Sequence, residues 1–105
     1  MNAAYNEAVV VTVKTWHVYI IRCGDGTLYT GMTVDLQRRF VEHVEGDRKA
    51  ARYLKGRGPL ELVFSCKAGD RARAMKLERR IKGLSRERKI ALVENPKKAE
   101  EFFRS

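Results

Sequence analysis

The chain has 105 residues and carries a formal net charge of +9. Its length allows one domain with a thin core of roughly two packed layers, and its hydrophobic content of 44% argues against disorder. No apolar run approaches the ~20 residues of a membrane span, and no signal peptide is recognisable, so we expect a cytoplasmic protein without a membrane partner. The charge favours a polyanionic partner, most commonly nucleic acid. The alternatives are a merely soluble basic protein or one that binds anionic lipid.

The first predicted element is a β-hairpin. Residues 16–23 are rich in β-branched and aromatic side chains, and residues 27–32 form a second strand-like run. Between the two runs, Gly24-Asp25-Gly26 is a turn cluster.

The hairpin places two tyrosines near each other. If the loop has an odd number of residues, odd-numbered residues pair with odd-numbered ones, so Tyr19, Tyr29 and Gly31 share one face of the sheet. Gly31 would then leave open space beside two phenols, which suits the approach of a substrate. The alternative is that both tyrosines are ordinary half-buried strand aromatics.

A helix is predicted after the hairpin. Thr33 or Asp35 can cap its N-terminus, and Gly46 ends or breaks it. Its apolar stripe consists of residues at four-residue spacing: Leu36, Phe40 and Val44.

Two residues on this helix have side chains suited to chemistry on a phosphate. Arg39 and His43 are four residues apart and therefore lie on the same face, one turn from each other. Arginine is a fixed bidentate donor to phosphate oxygens, and histidine can move a proton near neutral pH. The alternative is a solvated helix surface.

A basic segment and a third strand follow. Residues 47–58 are basic, with Tyr53 and Leu54 as the only large apolar groups. The alternation that follows predicts a strand with one strongly apolar face, formed by Leu60, Leu62, Phe64 and Cys66.

Two helices complete the chain. Asp70 can cap the first, whose apolar stripe consists of Ala74, Leu77, Ile81 and Leu84. Ser85 can cap a shorter helix that carries Ile90, Leu92 and Val93 and stops at Asn95-Pro96. Residues 97–105 can form a short helix through Phe102 and Phe103. The predicted order β-β-α-β-α-α gives an α+β fold, in which helices flank a three-stranded sheet with an antiparallel hairpin.

Glu78 is unusual on the first of these helices. It lies inside the wide apolar arc of the helical wheel, so its carboxylate faces partly towards the core. Burying a charge costs free energy unless the charge is paired or bound to a metal. One interpretation is a ligand of a divalent metal, because Mg²⁺ is commonly held by one or two carboxylates with water and substrate phosphate. The other is an ion pair with Lys82.

The ordered combination of these features resembles the GIY-YIG nuclease family. The resemblance is carried by Val18-Tyr19, Tyr29-Thr30-Gly31, and residues 33–39 followed by His43. Glu78 stands where the family's metal-binding glutamate is expected. Residues 53–62 (YLKGRGPLEL) and 84–93 resemble the small bacterial single-domain branch.

The resemblance implies a three-stranded antiparallel sheet and a metal-dependent endonuclease that acts on DNA, in repair, recombination or other DNA processing. By that resemblance, Tyr19 and Tyr29 would position the attacking water, and Arg39 would stabilise charge on the scissile phosphate. His43 would transfer a proton or contact phosphate, and Glu78 would hold one Mg²⁺ or Mn²⁺. We expect the nuclease-like domain to span residues 16–94, with an extension at 1–15 and a tail at 95–105.

The basic residues must supply the affinity for DNA through phosphate contacts, because no separate DNA-binding domain is visible. We place nucleic-acid contacts at Gly31, Arg38, Arg48, Lys49, Arg52, Lys55 and Arg57. A second candidate track consists of Arg79, Arg80, Lys82, Arg86, Arg88 and Lys89. A short surface of this kind fits single-stranded or branched DNA better than base readout in a duplex.

Two other functions stay open at this point. The chain could be a nucleic-acid-binding module that has the fold without catalysis. It could also be a nuclease subunit that is active only beside a partner protein, which residues 1–14 and 97–105 could contact.

Overall fold

The fold was taken from a computed structural model, which describes residues 14–46, 48–97 and 99. Three strands, β1 (Trp16–Arg22), β2 (Leu28–Thr33) and β3 (Glu61–Gly69), form the sheet. The helices are α1 (Leu36–Glu45), α2 (Arg71–Lys82) and α3 (Arg86–Glu94), and a single 3-10 turn covers Arg52–Leu54. The predicted order β-β-α-β-α-α is therefore confirmed. The sequence prediction for Phe102 and Phe103, like that for residues 1–13, lies outside the described residues.

The sheet is antiparallel, with β1 in the centre and strand order β2-β1-β3. Tyr19 pairs with Gly31, and Ile21 pairs with Tyr29. Odd-numbered residues therefore pair with odd-numbered ones, which confirms the predicted register of the hairpin. Because opposed residues share a face, the two tyrosines lie on the same side of the sheet.

The two sides of the sheet hold different cores. On the side that we call the apolar face, Val18 and Ile20 are fully buried against α2 and α3, in a cluster with Phe64, Ala74, Leu77, Ile81 and Leu92. On the other side, which we call the tyrosine face, Tyr19, Ile21 and Cys23 pack with Leu54 and with partly buried residues of α1 and its following loop. The helical stripe predicted for α2 is thus confirmed.

Side chains cap all three helices at their N-termini. Asp35 accepts a hydrogen bond from the amide of Arg38, and Asp70 accepts one from the amide of Arg73. The Ser85 hydroxyl accepts a hydrogen bond from the amide of Arg88. Each cap satisfies a backbone donor that the first helical turn would otherwise leave free, so the helix starts read from the sequence are correct.

The prediction of one apolar face on β3 is wrong, because a β-bulge interrupts the strand. Ile20 pairs with Phe64 while the adjacent Ile21 pairs with Leu62, which leaves Val63 as the extra residue. An extra residue shifts the alternation of side chains by one position. Phe64 therefore joins the apolar face, whereas Leu60 packs on the tyrosine face.

The predicted stripe of α1 is wrong at its last position. Val44 is 56% exposed, whereas His43 is only 2% exposed. At 3.6 residues per turn, seven residues from Leu36 return to within about 20° of the starting direction, but eight overshoot by about 80°. The inward positions are therefore Leu36, Phe40 and His43, and a histidine occupies the end of an otherwise apolar stripe.

Among the residues that the structure describes, no helix combines the length and the apolar character needed to cross a membrane.

Candidate active site

Three aromatic rings from three elements meet on the tyrosine face. Tyr19 of β1 and Tyr29 of β2 have ring centroids 6.4 Å apart. His43 of α1 lies 6.0 Å from the Tyr19 ring and 5.8 Å from the Tyr29 ring. Tyr19 is buried and Tyr29 is half-buried, and each of the three rings contacts the other two. We call these three residues the ring cluster.

Gly31 makes room for the ring cluster. A Cβ atom at this position would lie 2.5 Å from Tyr19 Oη and 2.6 Å from the ring carbon Cζ, distances that real Cβ atoms do not adopt. The expectation of open space beside Gly31 is therefore wrong, since the Tyr19 ring fills that space. The absent side chain lets the tyrosine lie flat across its neighbouring strand.

The hydrogen bonds of His43 fix its tautomer. Its Nδ1 accepts a hydrogen bond from the backbone amide of Ala51 at 3.2 Å. An acceptor nitrogen carries no proton, so the proton of the neutral ring is on Nε2. Nε2 lies 2.9 Å from Tyr19 Oη, and the histidine therefore donates to the tyrosine oxygen. Since His43 is almost fully buried, it acts through Tyr19 in this geometry rather than on a phosphate directly.

Burial keeps both partners of that hydrogen bond neutral. Burial lowers the pKa of His43 to about 4, and the positive charge of Arg39 lowers it further in the same direction. Burial also raises the pKa of Tyr19 to about 12, with an added contribution from Tyr29, while Arg39 opposes the rise. At neutral pH the pair is therefore a neutral imidazole that donates to a neutral phenol.

Arg39 lies at the edge of the ring cluster. Its Nη1 donates to Glu42 Oε1 at 3.0 Å and to the carbonyl of Lys49, so the guanidinium is held between α1 and the loop that follows. The side chain is 29% exposed. Its charge lowers the pKa of both Tyr19 and Tyr29, which places a fixed cation beside the two phenols.

Glu78 lies on α2, which packs on the apolar face and contacts all three strands. Its side chain is 20% exposed, in line with its position on the helical wheel, and its Oε1 lies 3.3 Å from Lys82 Nζ. The ion pair weighed from the sequence is thus present. The carboxylate also adds a contribution, smaller than that of burial, to the raised pKa of Tyr19 and of Tyr29, so Glu78 and Arg39 influence the two phenols with opposite sign.

The donor set is small for a metal site. Within residues 14–46, 48–97 and 99, no group of three or more histidine, cysteine, aspartate or glutamate side chains could hold an ion. Mg²⁺ tolerates such a site, because one carboxylate with water and substrate phosphate completes its shell. Zinc, which prefers three or four protein ligands, does not fit.

The six basic residues proposed as DNA contacts differ in their ion pairing and position. Arg38 is exposed and lies 3.5 Å from Glu42. Arg57 is held by Asp25 Oδ2 at 2.6 Å. The remaining four are exposed on the loop between α1 and β3: Arg48, Lys49, Arg52 and Lys55.

Sequence reasoning did not assign a role to Tyr53. Its ring stacks on Tyr29 at 5.8 Å with an angle of 25° between the planes, so it extends the ring cluster outward. The Arg57 guanidinium lies over the Tyr53 ring at 4.3 Å. A single large aromatic within a basic run was the available signal, since nucleic-acid surfaces combine the two.

Comparison with known proteins gives a family for residues 15–91, which match the model described as the GIY-YIG catalytic domain. A UPF0213 protein from Serratia liquefaciens is 47% identical over 85 residues, which are 81% of this chain and 81% of that protein. A UPF0213 protein from Yersinia enterocolitica is 51% identical over 80 residues, or 76% of this chain and 80% of that protein. The solution NMR structure of a UPF0213 protein from Bacillus halodurans shares 42% identity, covers 76% of this chain and 83% of that one, and superposes with a TM-score of 0.49.

Proposed function

The chain belongs to the GIY-YIG family, within its small single-domain UPF0213 proteins, and we propose that it is a metal-dependent endonuclease that hydrolyses phosphodiester bonds of DNA. The observation that carries the proposal is the ring cluster with its two flanking charges. Tyr19, Tyr29 and His43 are in mutual contact. Arg39 and Glu78 both act electrostatically on the two phenols.

A binding module would not require this arrangement. Affinity for a polyanion needs cations on an accessible surface, and the chain has many. The Glu78 carboxylate contributes to the raised pKa of both the buried Tyr19 hydroxyl and the half-buried Tyr29 hydroxyl and adds nothing to phosphate affinity. The combination is typical of a site that handles protons and charge during a reaction.

Each residue has a role in the proposed hydrolysis. The attacking water forms a bond to phosphorus and gives a proton to the surrounding water, while the bond from phosphorus to the leaving oxygen breaks and that oxygen takes up a proton from water. The Tyr19 and Tyr29 hydroxyls position the attacking water, and Arg39 stabilises the charge that develops on the phosphate oxygens. His43 donates Nε2–H to Tyr19 Oη, which fixes the orientation of the phenol.

Glu78 is the residue that would hold a divalent ion. Its carboxylate supplies one hard oxygen ligand, and substrate phosphate and water would supply the rest, so we expect little metal binding without DNA. When bound, Mg²⁺ or Mn²⁺ would lower the pKa of a coordinated water and neutralise charge on the phosphate.

The substrate class within this proposal is single-stranded or branched DNA, as in repair or recombination. The exposed cations on the loop after α1 contact phosphates and carry no base preference. Selection would then rest on the shape and accessibility of the strand.

The test is cleavage of labelled single-stranded, duplex and branched DNA by the purified protein with Mg²⁺, with Mn²⁺ and with chelator. Wild type is expected to cleave only with metal. Glu78→Gln keeps the size of the side chain and removes its charge, and we expect it to abolish cleavage. Glu94→Gln removes an exposed carboxylate from α3 and is the matched control.

The possible results separate the alternatives. DNA binding without cleavage under any metal would replace the endonuclease with a non-catalytic nucleic-acid-binding module. Cleavage that appears only after addition of cell extract would favour a subunit that needs a partner protein.

A further inference from the structure

A cleft lies beside the ring cluster, between the hairpin turn, the loop after α1, and α3. Its volume is about 210 Å³. Its walls are formed by Thr27, Leu28, Tyr53, Arg86 and Lys89. None of these residues has a role in the proposed hydrolysis.

The walls of this cleft are tied together by the backbone. The amide of Gly24 donates to the carbonyl of Arg57 at 2.6 Å, and a Cβ at Gly24 would lie 2.4 Å from the carbonyl oxygen of Gly58. The wall formed by α3 is joined to the hairpin turn by Arg86, whose Nη2 donates to the carbonyl of Gly26 at 3.0 Å. The cleft is therefore a built feature of three elements rather than a gap between mobile side chains.

Tyr53 forms the aromatic wall of the cleft. It is 42% exposed, although its ring stacks on Tyr29. Because Tyr29 contacts both Tyr19 and His43, an unbroken series of rings runs from the proposed reaction centre to the cleft. A strand whose phosphate reaches the ring cluster would place a neighbouring nucleotide beside Tyr53.

The charges around Tyr53 are positive. Arg57 lies over its ring and is held in place by Asp25, while Arg86 and Lys89 line the opposite part of the cleft. An apolar wall from Leu28, an aromatic wall and nearby cations match the parts of a nucleotide: a flat base and a phosphate. Aromatic rings stack on any base, whereas cations bind the backbone.

We propose that this cleft is a nucleotide subsite, in which one base of a single strand packs against the exposed part of Tyr53 and the Arg57 guanidinium that lies over its ring, and its phosphate contacts Arg86 and Lys89. The base must be unpaired and unstacked to enter, because both faces of a base inside a duplex are covered by its neighbours. The subsite would thereby favour single-stranded or splayed DNA over a continuous duplex. This inference rests on the proposed nuclease function for the position of the strand.

The test measures binding in chelator, so that no metal-dependent cleavage occurs. Fluorescence anisotropy compares a labelled twelve-residue oligothymidine with an abasic phosphodiester of the same length and charge. Wild type is expected to bind the oligothymidine about tenfold more tightly, because stacking on an aromatic ring contributes roughly 1–3 kcal/mol per base. Tyr53→Ala is expected to abolish this preference, and Tyr53→Phe, which keeps the ring, to retain it.

Equal binding of the two strands by wild type would overturn the subsite, and this result needs no variant that might fail to fold. An equal loss for both strands in Tyr53→Ala would also overturn it, since a lost phosphate contact or a damaged fold would act on both. The circular dichroism melting curve of each variant identifies damage to the fold. Base-dependent binding without any cleavage in Mg²⁺ would leave the subsite intact and contradict the endonuclease, so the two proposals fail separately.

Discussion

The two faces of β1 differ in what they bury. On the apolar face, Val18 and Ile20 pack in the apolar core formed with α2 and α3. On the tyrosine face, Tyr19 is 3% exposed yet carries a hydroxyl, and it meets a buried histidine. Neighbouring residues of one strand, less than 4 Å apart along the chain, therefore lie in an apolar core and in a hydrogen-bonded polar cluster respectively.

The difference shows how a small domain separates stability from function. A strand directs successive side chains to opposite faces, so one central strand can anchor a dry core and also present polar groups on its other side. The tyrosine face must satisfy each polar atom that it buries. The hydrogen bond from His43 to Tyr19 and the one from Ala51 to His43 satisfy the polar atoms of these two buried rings.

Single substitutions at the adjacent β1 residues Tyr19 and Ile20 should give the largest contrast between the two faces. Tyr19→Phe should lower the rate of DNA cleavage by about 10²-fold, because the attacking water loses one of the hydroxyls that position it. It should cost about 1–3 kcal/mol of stability, because Nε2–H of His43 loses its buried acceptor. Cleavage rates and urea unfolding curves measure both.

Ile20→Ala is the control for Tyr19→Phe. Ile20 is fully buried, so its truncation should cost about 2–5 kcal/mol in the free energy of unfolding. Cleavage by the folded protein should stay unchanged. A similar loss of activity in both variants would mean that the two faces are not separate.

The second-largest expected effect is a pH dependence of the free energy of unfolding that comes from the tyrosine face. The pKa of His43 is about 4 in the fold and 6.5 as an ordinary histidine, so the unfolded chain takes up the proton first as pH falls. Stability from the neutral ring is therefore complete above about pH 6.5 and is lost towards pH 4, by about 3 kcal/mol in all.

His43→Gln should flatten this part of the pH profile. Asp25 and Glu42, whose pKa values are lowered by hydrogen bonds, lose their contributions at lower pH in both proteins and cancel in the difference. Urea unfolding at several pH values between 4 and 7 measures the slopes. Equal slopes for wild type and His43→Gln would contradict a buried neutral histidine.

Substitution of two glycines by alanine should give a smaller contrast. Gly31→Ala should cost about 1–3 kcal/mol and reduce cleavage, because the added methyl displaces the Tyr19 ring. Gly83→Ala is the matched control, since its Cβ would meet only carbonyl oxygens at ordinary distances of 3.5 Å and 3.6 Å. We expect it to change stability by less than about 1 kcal/mol. Thermal unfolding of the two variants would contradict the packing account if their melting temperatures fell equally.

Local patterns predicted much of this fold correctly. The pairing of odd-numbered with odd-numbered residues in the hairpin followed from an odd number of loop residues. The helix starts followed from Asp35, Asp70 and Ser85. The errors occurred where one residue changes the phase of a pattern. In β3, Val63 is an extra residue that forms a bulge. In α1, the predicted stripe ended at Val44, eight residues after Leu36, whereas the buried residue is His43, seven residues after it.

The candidate site was predicted as a set of residues but not as an arrangement. Tyr19, Tyr29, His43, Arg39 and Glu78 were named from the sequence; the first three are in contact, and the charges of Arg39 and Glu78 act on both phenols. The roles assigned to them stay predictions until cleavage is measured. Tyr53 was missed as a site residue because its contact with Tyr29 joins positions 24 residues apart across a loop.

The sequence by itself determined the elements, the faces of the hairpin residues and the family, because these depend on local periodicity and on ordered motifs. Only the tertiary structure decided the protonation of His43, since its tautomer depends on an amide eight residues away that the loop brings to Nδ1. It likewise decided that the missing side chain of Gly31 accommodates a ring and not a substrate. Hydrogen-bond partners and excluded volume are properties of groups that meet in space, and no pattern along the chain specifies them.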